Sequence, residues 1–323
     1  MKAININENS ELRWEDTETP MAGDKEVLIK IAATAINRAD LMQRAGFYPP
    51  PPGASSIMGL ECSGEIVALG DGVNDLKIGD EVCALLAGGG YAEFVAVDEG
   101  SVIKIPGGLS LVEAASLPEV FATAWLNLYM EAKLAPGESV VLHAGASGVG
   151  TAGIQLCHAF GNTSFVTVGS EDKLKACLDL GASAGSNRHE GSFLELAQKF
   201  AGEKGVDVIL DPVGGSYLAD NLSLLGLNGR LVLIGLMGGA STEINLANLL
   251  MKRIRVIGST LRARPLPEKA EVMKQLQDKV WPKIASKEIK PVIDTVFSIN
   301  DIEKAHGLVA SDNTVGKVVL TVA

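Results

Sequence analysis

Residues 144–150 read Ala-Gly-Ala-Ser-Gly-Val-Gly, after the apolar run 138–143 and before the helical pattern 151–161. A strand, a glycine-rich turn and a helix in that order make a cradle for a dinucleotide. The first glycine permits the turn, the second lets the backbone approach the pyrophosphate, and the third lets the helix pack closely. The pyrophosphate then lies on free N–H groups at the helix N-terminus. Gly145 and Gly150 hold the first and third places, and Gly148 adds slack. Ser147 stands where the middle glycine is usual; it brings a Cβ to a crowded place but also a hydroxyl that can donate to a phosphate oxygen. Gly145, Ser147, Gly148, Val149 and Gly150 are therefore candidate cofactor contacts. A purely structural turn is the alternative.

The second strand of such a fold selects the cofactor. An NAD enzyme places Asp or Glu about 20 residues past the loop, on the ribose hydroxyls. That position falls in Val-Thr-Val-Gly-Ser-Glu-Asp-Lys, with no acid at Val168, Gly169 or Ser170. Small residues followed by Lys173 suit a 2′-phosphate, which needs donors and positive charge. Glu171 and Asp172 are the counter-argument, but both fall in the first turn of a helix capped by Ser170, where acids suit the dipole. The expected cofactor is NADPH.

These motifs need a frame. The chain has 323 residues, 47% of them hydrophobic, more than one core usually serves. Residues 1 to about 105 are short β-rich pieces broken by Gly and Pro, the pattern of a small barrel or sandwich. From about 118 the pattern alternates. A helix begins at Pro118, and apolar runs at 139–143, 164–169, 206–211, 230–235 and 254–259, with a weaker one near 184–186, read as buried parallel strands separated by helices. This predicts a doubly wound sheet of about six strands. The tail, with helices over 267–285 and 300–311 (the second capped by Asn300 or Asp301) and strands near 289–298 and 316–322, has no place in that sheet. It is expected to return to the first domain, which gives 1–120 completed by 262–323 and an inserted 121–261.

The net charge of −11 argues against a nucleic-acid partner held through phosphates. No apolar run approaches the ~20 residues of a membrane span, and the N-terminus lacks the features of a signal or transit peptide. Cys62, Cys83, Cys157 and Cys177 have no CxxC spacing and read as reduced thiols. A cytoplasmic protein is expected.

Four stretches carry a family resemblance: residues 36–66 (INRADLMQRAGFYPPPPGASSIMGLECSGEI), AGASGVGTAGIQL, VTVGSEDKL and GLMGG. Together they resemble the zeta-crystallin-like quinone oxidoreductases of the medium-chain dehydrogenase/reductase superfamily, in order and over essentially the whole chain. The resemblance implies an α/β protein with a GroES-like β-rich catalytic domain, an inserted Rossmann domain, and NADPH as hydride donor. It places Arg188 where the family commonly has a tyrosine near the adenosine end; an arginine there can stack on adenine and pair with the 2′-phosphate. It places Thr123 beside the nicotinamide, with a helix threonine bonding backwards to a carbonyl as the alternative. Gly235, Leu236 and Met237 end a strand at the carboxyl edge where doubly wound folds bind ligands, and Lys317 is a candidate reaching the cofactor from the returning tail.

The superfamily includes zinc enzymes. By resemblance, the ligand positions fall on Asn37, Leu60 and the neighbourhood of Glu119, which is a poor donor set for a metal that wants about three N or S ligands. Residues 80–100 hold only Cys83, so a four-cysteine lobe is absent, and the four histidines lie far apart. The expectation is no metal. Without one, nothing lowers an alcohol's pKa, whereas an electrophilic acceptor needs only a positioned hydride and a donor to the oxygen that gains charge. Asn37 and Tyr48 are the candidate donors; a turn-stabilising Asn37 and a polyproline wall at 48–53 are the bland alternatives. The expected activity is zinc-free hydride transfer from NADPH to a quinone. The alternatives are an enone or enal reductase and a non-catalytic NADPH-binding or RNA-binding protein. The last sheet strand, 253–260, is an exposed edge, and a homodimer through it is expected.

Overall fold

The computed structural model describes residues 1–7 and 9–322. It divides into two compact units, Met1–Ala122 with Leu261–Ala323, and Thr123–Thr260.

The first unit is built around the strand Glu26–Ile36. Its apolar residues are buried almost throughout, and it pairs antiparallel with three others: Glu61–Leu69, Phe94–Asp98 and Lys317–Thr321. The chain's last strand thus lies beside one of its first, with Val318 opposite Ile36, and Ile293–Ser298 adds on parallel to it. Val27, Ile29, Ile66, Val82, Val318 and Leu320 form one core with Ile302 and Ala305 of the helix Ile302–Ala310. The crossing at Gly64 is tight: a Cβ there would stand 2.0 Å from the Lys30 carbonyl oxygen, so only glycine lets the two strands approach.

The second unit is a six-stranded parallel sheet. Its spatial order is Ala184–Asn187, Thr163–Val168, Ser139–Leu142, Val206–Asp211, Leu225–Leu233, Arg255–Gly258. The chain starts at the middle and winds outward in both directions, the doubly wound arrangement the apolar runs predict. Val141, Phe165, Val206, Ile209, Leu224 and Leu231 fill the core. Arg255–Gly258 is the sheet edge, and Val256 on it is 41% exposed.

Two local expectations need correction. The helix begun at Pro118 is α-helical only to Trp125 and continues as a π-helical turn, Leu126–Glu131. Asn127 Nδ2 donates to the Thr123 carbonyl at 2.7 Å, and a side chain taking an i−4 acceptor disturbs the ladder. The helix expected over 267–285 is likewise interrupted, with α-helix Leu266–Gln275, a π turn Leu276–Val280, and α-helix Trp281–Ala285. Pro282 lacks an N–H and its ring crowds the carbonyl four residues back, which the wider turn relieves. The last helix, Ile302–Ala310, has Asp301 at its N-cap position, one of the two residues expected there, although the side chain makes no cap bond and pairs with Lys304 at 2.6 Å; Ser298 caps the short turn before it, its Oγ accepting the Asn300 N–H at 3.3 Å.

Among the described residues no helix is long and apolar enough to cross a membrane.

Candidate active site

The glycine-rich turn leaves the strand Ser139–Leu142 at the carboxyl edge of its sheet and enters the helix Gly148–Ala159. Its tight bend is taken by Ala144, at φ +55°, not by Gly145. Gly145 is demanded by packing, since a Cβ would lie 2.6 Å from Val166 Cβ. Gly150 has the role of the third glycine; a Cβ there would meet the Gly145 carbonyl oxygen at 2.4 Å. Ser147 is the helix cap. Its Oγ accepts the Gly150 N–H at 3.1 Å and its own N–H donates to the Ala144 carbonyl at 2.9 Å. The Ser147 N–H is therefore not free for a phosphate, because the turn has used it. The hydroxyl proton of this exposed serine remains available, and so do the amides of Gly148 and Val149, which lie in the first turn where a helix supplies no acceptor.

At the end of Thr163–Val168 the backbone passes through Gly169 to Ser170, whose Oγ caps the helix Glu171–Asp179 by accepting the Lys173 N–H at 3.3 Å. Arg188 extends the neighbouring strand, its N–H donating to the Val168 carbonyl at 2.9 Å. Its guanidinium folds over Gly169, where a Cβ would stand 3.5 Å from it. Arg188 also faces Tyr217, whose hydroxyl burial pushes up in pKa while the arginine charge draws it down. Arg188, Gly169, Ser170 and Lys173 thus share one strand end, with no carboxylate at 168–170.

The segment Gly235–Gly239 is laced to the turn after Val206–Asp211. Met237 N–H donates to Pro212 O at 3.2 Å and Gly238 N–H to Val213 O at 2.7 Å. Those two amides are consumed, and the side chains of Leu236 and Met237 are 55% and 54% exposed. Thr123 is half-buried, and its carbonyl holds Asn127.

Beneath this edge lies a buried chain that sequence reading treats only as scattered residues. His143 bonds Thr167 Oγ1 at 3.1 Å and Asn221 Oδ1 at 2.8 Å. Asn221 Nδ2 donates to Asp211 Oδ2 at 3.0 Å, and Asp211 Oδ1 accepts the amides of Val213 and Gly214. Burial holds the His143 pKa below its ordinary value despite the pull of Asp211, so it is a neutral spacer at neutral pH. The network fixes the turn to which Gly235–Gly239 is laced.

In the first unit the polar residues converge on Glu61, which is fully buried. Glu61 Oε1 accepts Asn37 Nδ2 at 2.9 Å and Lys317 Nζ at 2.8 Å, and Oε2 accepts the Glu119 N–H at 2.9 Å. Lys317 Nζ also donates to Ile36 O and Asn37 Oδ1, both at 2.7 Å. Two sequence expectations change here. Lys317 is neither a solvated strand lysine nor a cofactor contact, because its three N–H donors all end on oxygens of this cluster. Asn37 is not a free donor either: its amide hydrogens go to Glu61 and to Ala35 O at 3.3 Å. It starts the helix Arg38–Arg44 through a capping box with Asp40. Asp40, buried, accepts from Asn37 N, Gly59 N and Tyr91 Oη. Burial pushes its pKa up to about 6 against those donors. Tyr91 Oη in turn lies 3.3 Å from His306 Nε2, and burial pushes His306 down to about 4.

Tyr48 is arranged differently. Arg262 lies with Cζ 5.3 Å from the Tyr48 ring centroid, and it holds Tyr48 O at 3.2 Å, Gln43 Oε1 at 2.7 Å and Ala87 O at 2.8 Å. The Tyr48 hydroxyl is half-exposed and engages none of the described residues by hydrogen bond. Glu119 and Lys269 complete this group. Glu119 Oε2 is sealed from solvent with no partner among the described residues. Burial, and then the Glu61 charge, push its carboxyl up to about 8. Sequence reading weighed Glu119 only as a metal position and missed Glu61, Arg262 and Lys269. The last two sit in Leu-Arg-Ala-Arg-Pro-Leu-Pro-Glu-Lys-Ala, where three cations within eight residues were the available signal.

A carboxyl whose native pKa lies near 8 against an ordinary 4.5 holds a proton that the unfolded chain has released. Its contribution to stability is complete below about pH 4.5 and is lost as pH rises towards about 8. Native protein should therefore lose stability over that window relative to Glu119→Gln, by on the order of a few kcal/mol. Urea unfolding of both proteins across the window measures the difference; parallel curves would mean that Glu119 ionises as if in water.

Two family models match the chain: an alcohol dehydrogenase GroES-like domain over residues 23–107 and a zinc-binding dehydrogenase over residues 148–278. The quinone oxidoreductase of Rattus norvegicus is 32% identical over 310 residues, covering 94% of this chain and 92% of its own. The solved quinone oxidoreductase of Thermus thermophilus, also determined as its complex with NADPH, is 30% identical, with a TM-score of 0.84 and complete coverage of both chains. The CurK enoyl reductase is 28% identical, with a TM-score of 0.85 over 99% of this chain and 98% of its own. The zinc in the second model's description does not suit these residues. Leu60 has no donor atom, Asn37 is spent on Glu61 and Lys317, and the Lys317 ammonium already neutralises Glu61. Among the described residues no group of three or more His, Cys, Asp or Glu is placed to hold a metal ion. Sequence likeness over nearly the full length, with a matching fold, shows that the chain belongs to the quinone oxidoreductase family of the medium-chain dehydrogenase/reductase superfamily.

Proposed function

We propose that the chain is a zinc-independent oxidoreductase that passes hydride from NADPH to a quinone. One observation carries the reading: the cofactor cradle pairs uncommitted helix-terminal amides at Gly148 and Val149 with a basic strand end at Gly169, Arg188 and Lys173. The residues present fit NADPH, which when bound supplies the hydride. The two amides and the Ser147 hydroxyl hold the pyrophosphate. Arg188 and Lys173 take the 2′-phosphate, where a planar guanidinium can also stack on the base. Leu236 and Met237 give the nicotinamide an apolar neighbour, with Thr123 as its polar one.

On the acceptor side, the Tyr48 hydroxyl donates to the oxygen that gains charge. Asn37 and Lys317 act on it only indirectly, by fixing Glu61 and the loop from Asn37 onward. The uncommitted Tyr48 hydroxyl also favours a second reading, an enone or enal reductase in which Tyr48 supplies the proton that completes reduction of the double bond; the likeness to an enoyl reductase supports it. The four buried, unpaired thiols suit a cytoplasmic setting. The unpaired edge Arg255–Gly258 supports a homodimer formed by edge-to-edge pairing.

NADPH oxidation with 1,2-naphthoquinone should far outpace oxidation with a medium-chain enal. The reverse order selects the second reading, and tight NADPH binding without turnover of either sinks both. Arg188→Ala should raise the Kd for NADPH about tenfold or more and leave NADH nearly unchanged, because only NADPH carries the phosphate. An equal loss for both cofactors would place the 2′-phosphate elsewhere. Sedimentation should return the mass of two chains and, for Val256→Asp, of one; a monomeric native protein contradicts the dimer.

A further inference from the structure

The backbone ladder of the six-stranded sheet reaches Leu142 on its middle strand, opposite Val166 on one side and Leu210 on the other. Beyond Leu142 the chain turns off towards Ala144–Gly150, and side chains carry the connection across the strand ends. Asp211 Oδ2 accepts from Asn221 Nδ2, so Asn221 turns its Oδ1 to His143, and His143 Nε2 must carry the ring proton. Nδ1 is then the acceptor, and the Thr167 hydroxyl donates to it. All donors therefore point one way, from Thr167 through His143 and Asn221 to Asp211. Each of these side chains is buried, with every nitrogen and oxygen bonded. The His143 ring also packs against Phe193 and Tyr217, centroids at 4.9 and 4.8 Å. An apolar side chain would satisfy that packing, whereas a fully bonded polar chain adds rigidity and a single arrangement. Its two ends lie at different parts of the cofactor cradle. Thr167 stands two residues before Gly169, and its carbonyl holds the Gly145 amide at 2.9 Å, so it joins the glycine-rich turn to the strand end over which Arg188 folds. Asp211 Oδ1 holds the Val213 and Gly214 amides at 2.6 and 3.0 Å, and the carbonyls of Pro212 and Val213 hold Met237 and Gly238.

We propose that His143 is a positioning residue that makes the two ends of the cofactor cradle respond together. The inference rests on the NADPH reading of that cradle and adds how its ends are joined. A ligand that orders Gly169, Ser170 and Arg188 also orders Thr167 beside them. The bonds through His143 and Asn221 pass that order to the turn at Asp211–Gly214, and so to Gly235–Gly239. The two states involved are the laced form of that segment and its local opening, in which Met237 and Gly238 give up their acceptors. Ligand at one end disfavours opening at the other without touching it, and by linkage the effect runs equally in reverse. The arrangement serves a two-ended ligand, an adenosine phosphate joined to a second ring, because filling the first end readies the second.

The test is amide hydrogen exchange at Met237 and Gly238, followed by NMR in native chain, Thr167→Val and Thr167→Ser. Each is measured with and without saturating 2′,5′-ADP, which carries the adenosine end of the cofactor and no nicotinamide. Valine keeps the branched shape and removes the hydroxyl; serine keeps the hydroxyl. In the native chain 2′,5′-ADP should slow exchange of both amides about fivefold or more. Thr167→Val should still bind 2′,5′-ADP but lose the slowing, and Thr167→Ser should retain it. Slowing that persists in Thr167→Val, or that is absent from Thr167→Ser, overturns the inference. So does a Thr167→Val that no longer unfolds cooperatively, since that makes the bond structural. A native chain that binds 2′,5′-ADP with no slowing overturns it without recourse to any variant and leaves the NADPH reading intact. A native chain that binds neither 2′,5′-ADP nor NADPH overturns that reading and this inference with it.

Discussion

A carboxylate with no access to water governs the first unit. Glu61 holds the strand Lys317–Thr321 through Lys317, the end of Glu26–Ile36 through Asn37, and the start of the helix at Pro118 through the Glu119 amide. Such a pair adds little net stability against apolar residues of the same shape, but removing one partner strands a buried charge and costs roughly 3–5 kcal/mol. Its value lies in assigning roles. Lys317 is the ion-pair partner of Glu61, and burial, with Glu61 beside it, keeps the proton on Glu119. Because Glu61 takes the Asn37 amide, Asn37 is removed from chemistry and Tyr48 is left as the free donor.

The second unit solves its problem with backbone. The turn at Ala144–Gly150 presents amides at the start of a helix, and its shape is set by contacts around it: Val166 against Gly145, the Gly145 carbonyl against Gly150, Ser147 over the first turn. The His143–Asn221–Asp211 chain is the polar counterpart on the adjacent strand. It is fully bonded and neutral at its histidine, so it can sit beneath a charged ligand without competing for it.

The fold was largely legible because its signals are local. Five apolar runs and a weaker sixth became the six parallel strands, and the turn at Ala144–Gly150 declared itself by glycines and by the strand and helix around it. Boundaries failed where a single side chain intervened, Asn127 in one helix and Pro282 in another. The site residues divide in the same way. Ser170 as a cap follows from its neighbours in sequence. Lys317 does not, because its partners lie some 280 residues away, and a lysine in a strand says nothing about what it faces. Arg262 and Lys269 were hidden for the same reason, each defined by loops more than 100 residues distant. Glu61 stood in the quoted stretch 36–66 but drew notice only for the leucine before it.

The pairing of Lys317–Thr321 with Glu26–Ile36 also bears on how the chain is made. Part of the first unit precedes the six-stranded unit in the chain, yet the strand that lies beside Ile36 and the counter-charge of Glu61 are made only after it. Until then Glu61 has no ammonium to meet, and a strand side that is later covered stays open. The six-stranded unit, whose strands all lie between residues 139 and 258, has its whole sequence available first. Assembly is thus ordered from the inside out, and the nascent first unit, with an uncovered edge and an unmatched acid, is the stage at which this protein most needs protection from aggregation.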